Sequence, residues 1–324
     1  MLDWTDRHCR YFLRLLSRHA LLYTEMITTA AILHGERDRQ LAFHEHEQPV
    51  ALQLGGSEPA ALAECARIGT DYGYAEINLN VGCPSDRVQS GRFGACLMAE
   101  PQLVADCVSA MIRAVPVPVT VKARIGIDDM DSYDALCRFV ETVAAGGCRV
   151  FVIHARKAYL QGLSPKENRT VPPLKYDYVW QLKEDFPGLE IIVNGGITTL
   201  DEVADHLQLV DGVMLGRAVY HDPWLLAEVD RRFYADAHAL PERGDVVRQM
   251  LPYIESELNA GTQLKHITRH MLGLFQGLPG ARKWRRYLSE NAHRPGADGR
   301  VLMAALQQVE HAGHDTGRGY RSHG

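Results

Sequence analysis

Residues 75–80, AEINLN, decide how this chain folds, because the two-residue period of a strand puts Glu76, Asn78 and Asn80 on one face and Ile77 and Leu79 on the other. The run passes through Val81 into Gly82-Cys83-Pro84, which reads as a loop. Comparable short runs rich in Val, Ile, Leu and Tyr flank it at 21–27, 50–54, 117–123, 150–154, 190–194 and 212–216. Helix-like stretches separate them at 57–70, 101–114, 132–146, 174–185 and 199–208, and Ser57, Ser132 and Thr199 stand where helix N-caps belong. Such repeated β-α alternation implies a parallel sheet.

Seven strands are legible, whereas a closed (β/α)8 TIM barrel needs eight. The chain opens with a loop and helix over Asp3 to His19 and no strand before them. The simplest account is a TIM barrel whose first strand is missing from this sequence through a start codon assigned too late. An in-frame extension of roughly 15 residues, the reach of one strand and a loop, is expected upstream. Seven alternations would also suit a doubly wound sheet. After about 235 strand signals stop, and helical patterns follow at 243–258, 263–274, 280–291 and 298–310, divided by Gly and Pro. The expected domains are a barrel over 1–235, a small helical bundle over 236–310 and a disordered tail over 311–324.

A composition of 46% hydrophobic and 23% charged residues excludes disorder for most of the length. No run of 18 apolar residues appears, and the opening MLDWTDRHCR lacks the apolar core of a signal peptide, so no membrane association is expected and a cytoplasmic protein is. The cysteines, at 9, 65, 83, 96, 107, 137 and 148, are odd in number and show no Cys-x-x-Cys spacing, which speaks against a disulfide framework and a zinc site. A net charge of −5 means that any nucleic-acid contact must be local.

In a parallel barrel the active site lies at the C-terminal ends of the strands, so polar residues there carry weight. Gln53, Asn78 and Asn80, Lys122 and Arg124, His154, and Asn194 close five successive runs. One such residue often only caps a loop; five converging on one mouth point to a site. Asn194-Gly195-Gly196 and Gly216-Arg217 each lead towards a helix, and backbone N–H groups exposed by glycines there can cradle a phosphate, with Arg217 adding a charge-assisted bond. Tight turns that need Gly would leave the same trace. The G-x-G-x-x-G fingerprint is absent, which favours a mononucleotide over a dinucleotide. His44-Glu45-His46-Glu47 lacks a third ligand of clear spacing and is read as a turn, so no metal is assigned.

The strings LDWTDRHCRYFLR (2–14), EINLNVGCPSDRVQSGRFGACLM (76–98), VKARIGID (121–128), HARKAYLQGLSPKENR (154–169), NGGI (194–197) and MLGRAVY (214–220) resemble the tRNA-dihydrouridine synthase family, and specifically its A-type branch. The resemblance implies an FMN-containing barrel with a helical C-terminal domain, reduced by NADPH, that converts D-loop uridines at positions 20 and 20a to dihydrouridine. It implies that Lys122 and Gln53 hold the pyrimidine edge of the flavin. It gives His154, Asn194, Gly195, Gly196, Gly216 and Arg217 to the ring, ribityl chain and phosphate, and sets Met1 and Leu2 against the flavin. The proline and strand that precede this segment in the family are absent here.

Cys83 is the expected acid. Hydride addition to C6 of uracil leaves an enolate whose C5 needs a proton, and a thiol with a pKa of about 8.5 is neutral near pH 7 and able to donate. The other cysteines are assigned no role. Asn80 would contact the uracil or its ribose, and Lys166, Arg169, Arg282 and Arg285 are the tRNA contacts that the family pattern implies. The loop after His154 holds Arg156, Lys157, Lys166, Arg169 and Lys175 with only Glu167 opposing, and Arg282 and Arg285, three apart, share a helix face. No protein partner is implied, and a monomer is expected. Two other readings stay open: a flavin reductase of small pyrimidines, which would leave the Arg282 helix without a purpose, and a non-catalytic RNA-binding protein on the same fold.

Overall fold

The computed structural model describes residues 1–85 and 91–318, the side chains of 312–318 excepted; residues 86–90 of the 76–98 string and 319–324 of the tail lie outside the described residues. Contacts divide the chain into two units, Met1–Asp3 with Leu21–Gly216, and Trp4–Ala20 with Arg217–Gly324. The first helix, α1 (Arg7–Arg14), therefore belongs to the second unit.

The first unit carries β1 (Leu22–Thr28), β2 (Val50–Gly55), β3 (Glu76–Val81), β4 (Val119–Arg124), β5 (Val150–His154), β6 (Glu190–Asn194) and β7 (Gly212–Met214). They form one seven-stranded sheet in the order β1 to β7, and each neighbouring pair is parallel. A doubly wound sheet would reverse its strand order at a switch point. The unbroken order instead makes this a TIM-barrel-like sheet, with helices along the connections.

Those helices are α2 (Thr29–His34), α3 (Arg37–Leu41), α4 (Pro59–Asp71), α5 (Pro101–Ala114), α6 (Tyr133–Ala145), α7 (Tyr176–Asp185) and α8 (Leu200–His206). Ser132 caps α6 by accepting from Ala135 N, and Thr199 caps α8 in a box with Glu202. At α4 the cap is Glu58 rather than Ser57: its carboxylate accepts from Ala60 N and Ala61 N, and Pro59, which has no N–H to satisfy, follows at the first helical position. Gly69 lets α4 lie against the sheet, since a Cβ there would stand 2.5 Å from Leu52 Cδ2 and 3.0 Å from Ile77 Cδ1. Ile77 thus faces the helices, and Glu76, Asn78 and Asn80, on the opposite face of β3, point to the inside of the sheet. All three are buried.

The second unit is helical: α1, α9 (Arg217–His221), α10 (Val229–Phe233), α11 (Arg243–Asn259), α12 (Leu264–Thr268), α13 (Ala281–Asn291) and α14 (Gly299–Arg318). The N-terminal segment is bound into it by polar pairs that no local pattern announces. Arg7 pairs with Glu257 at 2.8 Å, His8 Nδ1 and the Tyr253 hydroxyl share a 2.7 Å bond, and buried Asp230 accepts from the Ser17 hydroxyl at 2.5 Å and from Arg18 N at 2.6 Å. Trp284 is fully buried, its indole N–H donating to Met271 O at 3.0 Å and its ring set edge-on to Phe275. The division falls after Gly216, whereas strand signals alone put it near 235, because α9, α10 and residues 4–20 join the bundle. Helix α14 continues to Arg318, into the stretch from 311 read as disordered.

Candidate active site at the strand ends

Strand register sets which polar groups meet. Gln53 lies opposite Asn78, Asn78 opposite Thr120, Asn80 opposite Lys122, Arg124 opposite His154, and His154 opposite Asn194. Paired residues in a parallel sheet share a face, so this set lines the inside of the sheet at its C-terminal end. Lys122 Nζ donates to Asn194 Oδ1 at 3.0 Å, and Asn194 Nδ2 donates to Met214 O at 2.7 Å. Burial lowers the Lys122 ammonium to about 7; the Arg124 and Arg169 cations push the same way, and the Cys83 sulfur opposes them. Burial, opposed by Cys83 and aided by Arg169 and Arg156, also lowers Arg124, to about 10, which leaves its guanidinium charged at neutral pH.

Cys83 is half-buried in the loop after β3. Its N–H and that of Gly82 both donate to Asn80 Oδ1 at 3.0 Å, its carbonyl accepts from Ala95 N at 2.9 Å, and its Sγ lies 3.6 Å from Ser85 Oγ. Arg124 fastens the same loop from the other side, donating through Nε to Gly82 O at 2.9 Å and through Nη1 to Lys157 O at 3.0 Å and Asn168 O at 2.9 Å. The fully buried Asn168 in turn folds the loop after β5, accepting from Tyr159 N and donating to the carbonyls of Tyr159 and Leu163. In sequence Arg124 shows only as a polar strand end; its inward register, two residues after Lys122, is the signal of a further role.

Gly195 and Gly196 have φ of 110° and 77°, in the left-handed region that favours glycine. A Cβ on Gly195 would stand 2.9 Å from the His154 ring, and one on Gly196 would stand 2.6 Å from Leu174 Cδ1 and 2.9 Å from the Tyr176 hydroxyl. Tyr176 OH donates to Gly195 O at 2.5 Å, fixing the turn. Gly216 differs: among the described residues a Cβ there would meet only Met1 Sδ, at 3.6 Å. Leu2, beside Met1, is exposed, and Arg217 opens α9 in the second unit.

The basic loop needs a correction. Lys157 and Lys175 both reach Asp131, at 3.2 Å and 3.6 Å, and Arg156 donates to Pro172 O, so Glu167 is not the only opposing acid and these three cations are engaged within the fold. Glu167 accepts from Ser164 N and Oγ at 2.9 Å and 2.6 Å. Lys166 and Arg169 remain exposed. In the second unit Arg282, Lys283 and Arg285 line a hollow of ≈ 400 Å³ with Gln276 to Leu278, and Arg285 Nη1 donates to Gln276 Oε1 at 2.9 Å. His44 to Glu47 form a reciprocal cap around a 3-10 turn. His19, Asp230 and Asp236 offer ligand atoms within 4.8 Å of one another, but Asp230 already receives Ser17 Oγ and Arg18 N and serves to anchor the N-terminal segment.

A sequential parallel sheet with cations, amides and a thiol-bearing loop at its C-terminal strand ends defines an enzyme of the TIM-barrel type. A solved 2-naphthoyl-CoA reductase complex matches in fold, with a TM-score of 0.51 at 10% identity over 71% of this chain and 47% of that one. Residues 1–310 match the dihydrouridine synthase model, and the chain belongs to the dihydrouridine synthase family. It is 65% identical over 310 residues to a tRNA-dihydrouridine(20/20a) synthase of Escherichia coli (strain K12), covering 95% of this chain and 90% of that one. The enzyme of the same name in Shewanella oneidensis is 62% identical over 310 residues, covering 96% and 92%. Among the described residues no helix is long and apolar enough to cross a membrane.

Proposed function

We propose that this chain reduces uridine in tRNA to 5,6-dihydrouridine at D-loop positions 20 and 20a, with FMN as its flavin and NADPH as the reductant that leaves before tRNA binds. It would act as a cytoplasmic monomer. The strand-end groups fit an anionic flavin mononucleotide. Gly195 and Gly196 leave no room for a side chain, and among the described residues Gly216 is open on the side a Cβ would occupy and no carboxylate is bonded to the Lys122 ammonium. Gln53 and Lys122 would hold the pyrimidine edge of the cofactor; His154, Asn194 to Gly196, Gly216 and Arg217 would hold the ring, ribityl chain and phosphate, with Met1 and Leu2 against them.

Hydride delivery to uracil C6 is the chemistry that the bound flavin supplies. The remainder falls to the chain. A negative charge on a bound ligand beside Lys122 favours its protonated form and offsets the burial that lowers it. Cys83 holds a proton on sulfur for uracil C5; donation forms the C–H bond, breaks S–H and leaves a thiolate that solvent reprotonates. The target base must leave its stack to reach the thiol. Lys166 and Arg169 on the barrel unit, and Arg282 and Arg285 on the helical unit, supply phosphate contacts that give affinity and register.

The observation that carries this reading is the Cys83 loop, held by Asn80 from one side and Arg124 from the other. The test is dihydrouridine mapping by mass spectrometry on unmodified tRNA treated with the flavin-loaded protein and NADPH. Product at 20 and 20a is expected, and Cys83→Ala should lower its rate by about 10²–10⁴-fold, the usual worth of a positioned acid. An unchanged rate would remove the acid role. Turnover of free uracil in place of tRNA would point to a small-pyrimidine reductase.

A further inference from the structure

Asn80 has two fixed demands, because the backbone N–H groups of Gly82 and Cys83 can only donate. Both point at its Oδ1, so its Nδ2 must face away, and it donates to Gln53 Oε1 at 2.8 Å. The sense of every later bond follows. Gln53 has its oxygen turned to Asn80, so its Nε2 donates to Asn78 Oδ1 at 3.0 Å. Asn78 then donates through Nδ2 to Thr120 Oγ1 at 2.8 Å, and the Thr120 hydroxyl donates to Glu76 Oε1 at 2.7 Å. The Tyr23 hydroxyl donates to the same oxygen, also at 2.7 Å. Six bonds thus run in one direction, from the acid-bearing loop down the inside of the sheet to a carboxylate. Gln53, Asn78, Asn80, Thr120 and Glu76 are all buried, so water offers no easy substitute for a missing partner.

We propose that Glu76, Thr120 and Asn78 are positioning residues for the reaction: as the accepting end of this chain they fix which way the Gln53 and Asn80 amides face, and through Asn80 they hold the Cys83 loop in place. The proposal rests on the uridine-reducing role given to Cys83 and Gln53. Amides hydrogen-bonded in series polarise one another, which strengthens the row beyond isolated pairs. Removing the acceptor at Thr120 leaves Asn78 Nδ2 unpaired. Flipping Asn78 to relieve this would set its NH2 against that of Gln53, so the damage passes up the row. Glu76 is needed as an acceptor and not for its charge, and Gln in its place can still accept from both hydroxyls.

The test uses the flavin-loaded protein, with Thr120→Val as the isosteric change that deletes the hydroxyl, Thr120→Ser as its rescue and Glu76→Gln as the acceptor-preserving change. Amide hydrogen exchange at Gly82 and Cys83 should quicken about fivefold in Thr120→Val, the effect of losing one net hydrogen bond, while exchange within β5 and β6 stays near its parent rate. The kcat for dihydrouridine formation should fall with the KM for tRNA held, and Thr120→Ser and Glu76→Gln should stay near the parent in both measurements. Unchanged exchange at Gly82 and Cys83 in Thr120→Val, equal acceleration throughout the sheet, or failure of Thr120→Ser to rescue would each overturn the proposal. If exchange responds as stated but the parent protein forms no dihydrouridine, the structural role of the row stands and the assigned reaction falls.

Discussion

Gly216→Ala separates the needs of the fold from those of the cofactor more cleanly than any other glycine at the strand ends. The φ of Gly216 lies outside the left-handed region, so alanine brings no backbone strain. Among the described residues its new methyl would meet only Met1 Sδ at 3.6 Å, an ordinary contact. The fold should therefore gain slightly, by about 0.4–1 kcal/mol, because alanine narrows the unfolded ensemble. Cofactor binding should move the other way. If the Gly216 backbone N–H cradles the FMN phosphate, a methyl beside it costs one charge-assisted bond, about 1.5–3 kcal/mol, or roughly 10–100-fold in Kd. Flavin fluorescence titration gives the Kd, and thermal melting of the flavin-free protein gives the stability. A Tm at or above that of the parent with a Kd raised at least tenfold is the expected pair. Unchanged flavin affinity would refute the cradle. Gly195→Ala is the contrast, since its φ of 110° and the His154 ring 2.9 Å from its Cβ predict loss in both measurements.

Arg282→Ala and Arg285→Ala should each weaken tRNA binding without altering flavin content, and each should flatten the slope of log affinity against log salt by about one; a slope unmoved by both would take the hollow on α13 out of the RNA contact. The helical unit should lose stability in acid. Burial holds the His8 pKa below the ordinary histidine value, so the unfolded chain binds a proton that the folded one refuses. This contribution is complete above about pH 6.5 and drains away as pH falls through the histidine range. Burial acts against ionised Asp6, yet the His270 and Arg269 side chains and Cys9 N outweigh it and hold the carboxyl well below its usual range, so a further loss follows below about pH 4. Melting curves for parent and His8→Gln between pH 7.5 and pH 4 check the first loss, which should shrink in the variant; equal pH dependence in both would exclude His8 as its source.

The strands were legible because a parallel sheet covered by helices needs short runs of Val, Ile and Leu, and all seven runs became strands within a few residues of their expected bounds. The polar strand ends were legible for the complementary reason: Lys122 and Asn194 stand on separate runs at the depth where an apolar period breaks, and they meet at 3.0 Å. What stayed hidden depends on contacts made far along the chain. Nothing near Asp131 marks it as the partner of Lys157 and Lys175, and the loop looked more basic than it is. Residues 4–20 precede β1, yet they fold with the helical unit through Arg7, His8 and Asp230. Helices α2 and α3 are only six and five residues long, too short to show a period, and depend on local closure by the Thr28 cap and on the Tyr74 hydroxyl reaching Leu41 O.

The row from Cys83 to Glu76 shows where sequence stops in this family of folds. Alternation alone put Glu76, Asn78 and Asn80 on one face, and a buried glutamate among amides reads at that level as a cost with no return. Its value appears only with the register, which sets Thr120 of β4 and Gln53 of β2 on either side of Asn78, with the Gln53 amide reaching on to Asn80. Once the partners are in place, the two N–H groups of the Cys83 loop dictate the sense of every bond below them, and a carboxylate is a fitting terminus because it accepts and never needs to donate. The same groups that look expensive one at a time are satisfied together, and the loop that carries the thiol inherits their rigidity.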